Sequence, residues 1–155
     1  MRTLWRISKH NDLEGVGGEK ADGRWHTMGK GKRIVYLSEH PALALIEVLV
    51  NLTENPDFIP QSYQLMKVKV DDSVSTETHI PGMLTNDWKT NIKETQMLGD
   101  AWLESSSSAL LVVPSAPSPA SMNYLLNPLH PDAKNIAIEW CKWFDYDERF
   151  FRIHE

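Results

Sequence analysis

Cysteine is nearly absent. Cys141 stands alone in 155 residues, so no internal disulfide can form and the fold must hold by packing. A single thiol suits a reducing compartment. It reads as a small core residue beside Trp140, with a nucleophile as the weaker alternative. No apolar run approaches about 18 residues, so no membrane-spanning helix is expected. Clustered positive charge is also missing: 16 Lys and Arg face 21 Asp and Glu, net −5. That argues against a nucleic-acid surface, which needs a clustered basic patch. Lys30-Gly-Lys-Arg33 is the one basic cluster and reads as a turn entering a strand. The N-terminal residues Met1-Arg-Thr-Leu-Trp-Arg6 lack the apolar core of a signal peptide, which predicts a cytoplasmic protein.

Several chemical signatures are missing as well. No GxGxxG or GxxxxGK[ST] pattern occurs, so neither a Rossmann site nor a P-loop is supported. No serine sits in a GxSxG elbow. The six histidines show no HExxH or paired metal spacing, and His130 falls in the turn-like Asn127-Pro-Leu-His-Pro131. No metal site is expected.

What is present reads as one α+β domain over residues 1–155, without repeats. Strands are expected at 3–8, 33–37, 62–70 and 109–113. The third alternates Leu65, Val68 and Val70 against Lys67 and Lys69. The fourth is a continuous apolar run, which predicts burial on both faces. Residues 9–32 are Gly-rich and loop-like, and 80–91 are irregular. Asn55-Pro56-Asp57 breaks the chain, and Pro114 to Pro119 cannot continue a central strand. Helices are expected at 41–51 and 94–103. A short helix at 133–141 and a last strand at 149–153 complete the reading.

The most informative residue is Glu47. It lies within Pro41-Ala-Leu-Ala-Leu-Ile-Glu-Val-Leu-Val50, otherwise wholly apolar. Pro41 suits a first helical turn, with Ser38, Glu39 or His40 as cap. A helix without a polar face should be mostly buried. An ionised carboxylate there costs several kcal/mol unless a cation or hydrogen-bond donors compensate it. Such groups recur at functional sites, although a narrow exposed stripe or a structural ion pair would also place one there. Arg24-Trp25 in the Gly-rich loop sets a cation beside a large aromatic surface. The pair suits a ligand with phosphates and planar rings, or else is a surface Arg with an anchoring Trp.

Together these residues resemble the RES domain. The resemblance rests on Gly23-Arg-Trp-His26, on Val35-Tyr-Leu-Ser-Glu-His-Pro-Ala-Leu-Ala-Leu45 with Glu47, and on Gly99-Asp-Ala-Trp102. Leu110-Leu-Val-Val-Pro-Ser115 and Asn123-Tyr-Leu-Leu-Asn-Pro-Leu-His-Pro131 complete it, in order along nearly the whole chain. The resemblance implies a toxin of a bacterial toxin–antitoxin pair, partnered by an Xre-type antitoxin. The implied fold has a small mixed or split β-sheet with flanking helices, similar to the ADP-ribosyltransferase fold. The implied activity is cleavage of the nicotinamide–ribose bond of NAD⁺, with phosphate or water as acceptor. NAD⁺ would be a substrate, not a resident cofactor. Any DNA contact would come through the antitoxin.

The same resemblance assigns roles. Glu47, Tyr36 and Arg24 would be catalytic. Arg6, Arg24, Trp25, Tyr36 and Ser115 would bind NAD⁺, with Ser107 or Ser108 as alternatives to Ser115 for the family's serine. His26 stands where Asn is expected to be frequent in the family's Arg-Trp motif. A mono-ADP-ribosyltransferase acting on a protein would use the same residues, and a non-catalytic binding module would not need them intact.

Overall fold

The computed structural model describes residues 1–52, 63–79 and 81–151. Seven strands and two helices make one α+β unit. The strands are β1 (Arg2–Ser8), β2 (Val35–Ser38), β3 (Gln64–Val70), β4 (Thr76–Thr78), β5 (Leu110–Pro114), β6 (Met122–Leu126) and β7 (Ile136–Trp143). The helices are α1 (Pro41–Leu52) and α2 (Ile92–Ser105). The sheet is single and mixed, in the order β4-β5-β6-β2-β1-β3-β7. β4 and β5 run parallel; every other neighbouring pair is antiparallel.

One seam matters for function. β1 pairs with β3 along its full length, but β1 and β2 meet at a single position, Trp5 opposite Ser38. The sheet is therefore continuous and yet opens between β1 and β2. Helix α1 packs across both strands of that opening.

Strand parity divides the core. Leu110 and Leu126 join Leu4, Val35, Leu37 and Val68 in one cluster. Leu111, Val113 and Leu125 join Trp25, Trp88 and Trp102 in the other. Successive side chains of a strand point to opposite faces, so the clusters lie on opposite faces of the sheet. Tyr36 packs with the second cluster. Ser38, Asn123 and Ser115 share its parity along their strands.

The helices start as their sequences dictate. Pro41 opens α1, and His40 caps it by accepting the Ala42 N–H at Nδ1, 3.1 Å away. The Asn91 side chain accepts the Glu94 N–H at the start of α2. The expectation that α1 is mostly buried is corrected. Leu43 and Ala44 are buried, but Ile46 is 37% and Val50 48% exposed. Among the described residues the sheet covers one side of α1, and apolar side chains away from it stay partly exposed.

Other expectations also shift. Residues 133–141 are not a helix: a 3-10 turn at Pro131–Asn135 leads into β7. Ile136, Ile138 and Trp140 alternate with Ala137 and Glu139, a period of two, and β7 pairs with β3. The expected strand at 149–153 begins instead as a 3-10 turn at Glu148–Phe151, and Ile153 lies outside the described residues. So does the break at Asn55-Pro56-Asp57. β6 and the short, exposed β4 were not expected from sequence. The buried run at 109–113 is borne out, with every residue of β5 buried.

Candidate active site

The opening between β1 and β2 forms a cleft of about 830 Å³. That lies within the roughly 300–1,000 Å³ typical of small-molecule sites. β1 contributes Trp5 and Arg6, β2 contributes Tyr36, and α1 contributes Glu47. The Gly-rich loop supplies Arg24, and β6 supplies Asn123.

Glu47 is held by donors rather than by a direct ion pair. Ser115 Oγ donates to its Oε1 at 2.7 Å, and Asn123 Nδ2 donates to the same oxygen at 2.7 Å. Both donors are themselves fixed. Ser38 Oγ donates to Asn123 Oδ1 at 2.8 Å, and Ser115 Oγ accepts the Ser118 N–H at 3.2 Å. Ser38, Ser115 and Asn123 are all buried. Bonds to a charged acceptor contribute about 1.5–3 kcal/mol each, enough to keep a half-buried carboxylate in one place. Among the described residues, nothing bonds Oε2. One carboxylate oxygen is tied and the other is open.

Two arginines line the same cleft, and Arg24 feels the charge of this carboxylate. Arg24 Nη2 donates to the carbonyls of Trp88 and Lys89, and its guanidinium lies 5.4 Å from the centre of the Trp88 ring. Burial pulls the Arg24 pKa below its ordinary value, while the charge of Glu47 pushes it up. Its Nε is buried and has no hydrogen-bond partner among the described residues. Arg6 Nη1 donates to the Asp12 carbonyl at 2.6 Å, and burial, opposed by Asp12, likewise lowers its pKa. Both remain cations at any physiological pH.

Helix α2 builds the loop that carries Arg24. Residues 23–26 turn back on themselves, with the Gly23 N–H donating to the His26 carbonyl at 3.1 Å. Four positions on neighbouring turns of α2 grip this segment. Thr95 Oγ1 donates to the Arg24 carbonyl at 2.6 Å, and Gln96 Nε2 to the Gly23 carbonyl at 2.9 Å. Asp100 accepts from the Thr27 N–H at 2.9 Å and from the Thr27 hydroxyl at 2.6 Å. Lys32 adds an ion pair to Asp100 at 3.3 Å. Burial would raise the Asp100 pKa, but these partners outweigh it and hold the carboxyl below its ordinary value. Gly99 permits the contact: a Cβ there would sit 1.6 Å from the Trp25 carbonyl oxygen. The Gly99-Asp-Ala-Trp102 motif is thus a docking face for the Arg24 loop.

Trp25 does not line the cleft. Its indole is 2% exposed and packs at 6.2 Å, centre to centre, on Trp88 in the core. Its backbone N–H still serves the site, donating to the Tyr36 hydroxyl at 3.1 Å. That hydroxyl also lies 2.7 Å from His26 Nδ1. Burial raises the Tyr36 pKa strongly; the Trp25 N–H opposes this and the charge of Asp100 adds to it. Of the three candidate serines, Ser115 alone touches Glu47. Ser108 accepts from Trp102 Nε1 and donates to the Leu110 carbonyl, and Ser107 donates to Glu77. Both precede β5, at the opposite end of the strand from Ser115.

Asn123, Ser38 and the α2 residues were not singled out from sequence as site residues. The signal for Asn123 was a carboxamide opening a strand otherwise rich in Tyr and Leu. Among the described residues, no group of three or more His, Cys, Asp or Glu could hold a metal ion, and no helix is long and apolar enough to cross a membrane.

A single mixed sheet whose seam opens into a cleft, with a donor-held carboxylate and two arginines in its lining, defines the class as an α+β protein. The chain belongs to the RES domain family, whose model matches residues 3–150. It is 39% identical over 148 residues to Toxin Res of Pseudomonas putida, covering 96% of this chain and 99% of that protein. It is 35% identical over 160 residues to the Prs ADP-ribosylating toxin of a Sphingobium species, covering 97% of each. In three dimensions it resembles a chain from the crystal structure of the M. tuberculosis MbcT–MbcA toxin–antitoxin complex. That match has a TM-score of 0.74 and 17% identity, over 97% of this chain and 86% of the other. At that identity the likeness concerns the fold alone.

Proposed function

We propose that this protein is a toxin that cleaves the nicotinamide–ribose bond of NAD⁺ and is restrained by an Xre-type antitoxin. The observation that carries the reading is Glu47, with one oxygen fixed by Ser115 and Asn123 and the other unbonded among the described residues, in a cleft lined by Arg6 and Arg24. Breaking an N-glycosidic bond builds positive charge on the ribose. A fixed carboxylate stabilises that charge or bonds the 2′-hydroxyl, and such contacts strengthen in the transition state.

In this reading Arg6 and Arg24 hold the NAD⁺ phosphates or ribose, as guanidinium forks suit phosphate oxygens. Tyr36 stacks on the nicotinamide. Ser115 acts through Glu47, and Trp25 through its backbone N–H on Tyr36. The C1′–nitrogen bond breaks and its electron pair neutralises the pyridinium. An oxygen of phosphate or water then forms the new bond to C1′; with water, one proton is released. The protein works in the cytoplasm, where NAD⁺ is available, and contacts DNA only through its antitoxin, since its own charge is −5.

The 35% identity to a Prs ADP-ribosylating toxin favours one second reading: transfer of ADP-ribose to a protein. One experiment separates the two. Purified protein is incubated with NAD⁺, with and without phosphate and with cell lysate. ADP-ribose-1″-phosphate or free ADP-ribose supports the first reading, and labelled protein supports the second. NAD⁺ that survives in every arm sinks both.

A further inference from the structure

His26 is 2% exposed, and its two ring nitrogens have different partners. Nε2 lies 2.9 Å from the Gly18 carbonyl oxygen, and Nδ1 lies 2.7 Å from the Tyr36 hydroxyl. A carbonyl oxygen can only accept, so Nε2 carries a proton. In the neutral ring Nδ1 then offers a lone pair, and the Tyr36 hydroxyl donates to it. The oxygen of that hydroxyl accepts in turn from the Trp25 N–H at 3.1 Å. Gly23 closes the corner, because a Cβ there would lie 2.3 Å from the hydroxyl oxygen and 2.7 Å from His26 Nδ1. The phenol thus has its proton and one lone pair committed to the protein. Burial keeps that proton on, since it raises the Tyr36 pKa.

We propose that His26 is a positioning residue for Tyr36: its Nδ1 holds the phenol hydroxyl, so that Tyr36 serves the cleft through its aromatic ring and not as a proton carrier. The role in turnover rests on the NAD⁺ reading above, whereas the placement of the hydroxyl does not. Three elements converge on the pair: the turn at Val16–Glu19 through Gly18, the 23–26 turn through Trp25 and Gly23, and β2 through Tyr36. The Gly-rich loop and the sheet are thereby locked together at one imidazole.

The two nitrogens can be tested separately. Asn carries its carboxamide near the position of Nδ1, and Gln near that of Nε2. His26→Asn can still accept from Tyr36, whereas His26→Gln keeps only the bond to Gly18. We expect His26→Gln to lose about 10-fold more kcat than His26→Asn, with thermal unfolding confirming that both fold. Tyr36→Phe should lose several-fold, against about 10²-fold for Tyr36→Leu. On the Tyr36→Phe background the Asn and Gln variants should become equal, because no hydroxyl remains to hold.

An activity order with Gln above Asn would make His26 a mere anchor for Gly18 and overturn the proposal. So would a Tyr36→Phe variant as inactive as Tyr36→Leu. Nitrogen NMR of the histidine ring gives a readout without turnover: Nε2 should be protonated and Nδ1 bare, and the opposite tautomer refutes the arrangement. If wild-type protein leaves NAD⁺ intact, the functional reading falls on its own. The tautomer, and slower flipping of the Tyr36 ring in the Asn variant than in the Gln variant, then decide whether His26 holds Tyr36.

Discussion

The Asn123 side-chain nitrogen donates to Glu47 Oε1 at 2.7 Å and so joins the middle of the sheet to helix α1. The two residues are 76 positions apart in sequence. The bond leaves Glu47 one way to point, with Oε2 free of protein partners among the described residues.

Replacing Glu47 by Gln keeps the shape and both donor contacts while removing the charge. NAD⁺ loss should fall by about 10²-fold or more, with the thermal midpoint nearly unchanged. Wild-type turnover by this variant would make Glu47 structural.

Truncation of Asn123 to Ala should leave Glu47 with Ser115 alone and lower kcat by about 10- to 100-fold, the equivalent of one bond to a charged group. Asn123→Asp should be worse, because it sets a second carboxylate against the first. Steady-state kinetics on the folded variants would show it. Equal activity for the Ala and Asp variants would mean that charge at this position is unimportant.

Arg24→Lys removes the planar fork that reaches two carbonyls and lies over Trp88. Titration calorimetry on a Glu47→Gln background isolates binding from turnover. NAD⁺ affinity should drop by about 10-fold, at the cost of a charged hydrogen bond. An unchanged dissociation constant would remove Arg24 from the binding site.

Gly99→Ala forces a methyl to within 1.6 Å of the Trp25 carbonyl oxygen, which belongs to the backbone and cannot swing aside. The helix and the 23–26 turn must part, at a cost of about 1–3 kcal/mol. Chemical denaturation should show the loss, and NAD⁺ affinity should fall with it, because the same turn carries Arg24. A variant as stable as wild type would mean that the loop docks elsewhere in solution.

The Asp100 clamp should also be visible in the pH dependence of stability. Its folded pKa is depressed, so its contribution is present above the unfolded value of about 3.9 and is lost as pH falls through the lower folded value. Asp100→Asn should therefore be less stable than wild type at pH 7 and at pH 5, and the gap should close only below about pH 3.9. A gap that closes between pH 7 and pH 5 would assign it to another group.

Much of the local structure was legible in the residues themselves. Pro41 set the start of α1, the apolar run before Pro114 gave a strand buried on both faces, and the alternation of Val68 and Val70 with Lys67 and Lys69 gave β3, although Met66 and not Leu65 shares their buried face. These follow from ring geometry and side-chain periodicity, which act over a few residues. Glu47 stood out for the same reason, as one charge in an apolar run. The misreading of 133–141 came from the same scale: Ile136, Ile138 and Trp140 pack as a strand only because β3 lies beside them.

Sequence by itself determined that the chain is a RES-domain protein, that Glu47 is its conspicuous acid, and that Arg24 rides on a Gly-rich loop. Tertiary structure decided what meets what. Ser38 and Asn123 are 85 positions apart and touch because β2 pairs with β6. Strand parity then turns both toward the face where α1 delivers Glu47. Ser115 reaches that carboxylate while Ser107 and Ser108 sit at the other end of β5, and Trp25 goes inward because Trp88 and the backbone approach at Gly99 give its indole a place in the core. The physical reason is range. Propensity and periodicity are local, whereas a site assembled from one helix, three strands and a loop depends on strand order and register, and no short window of sequence contains these.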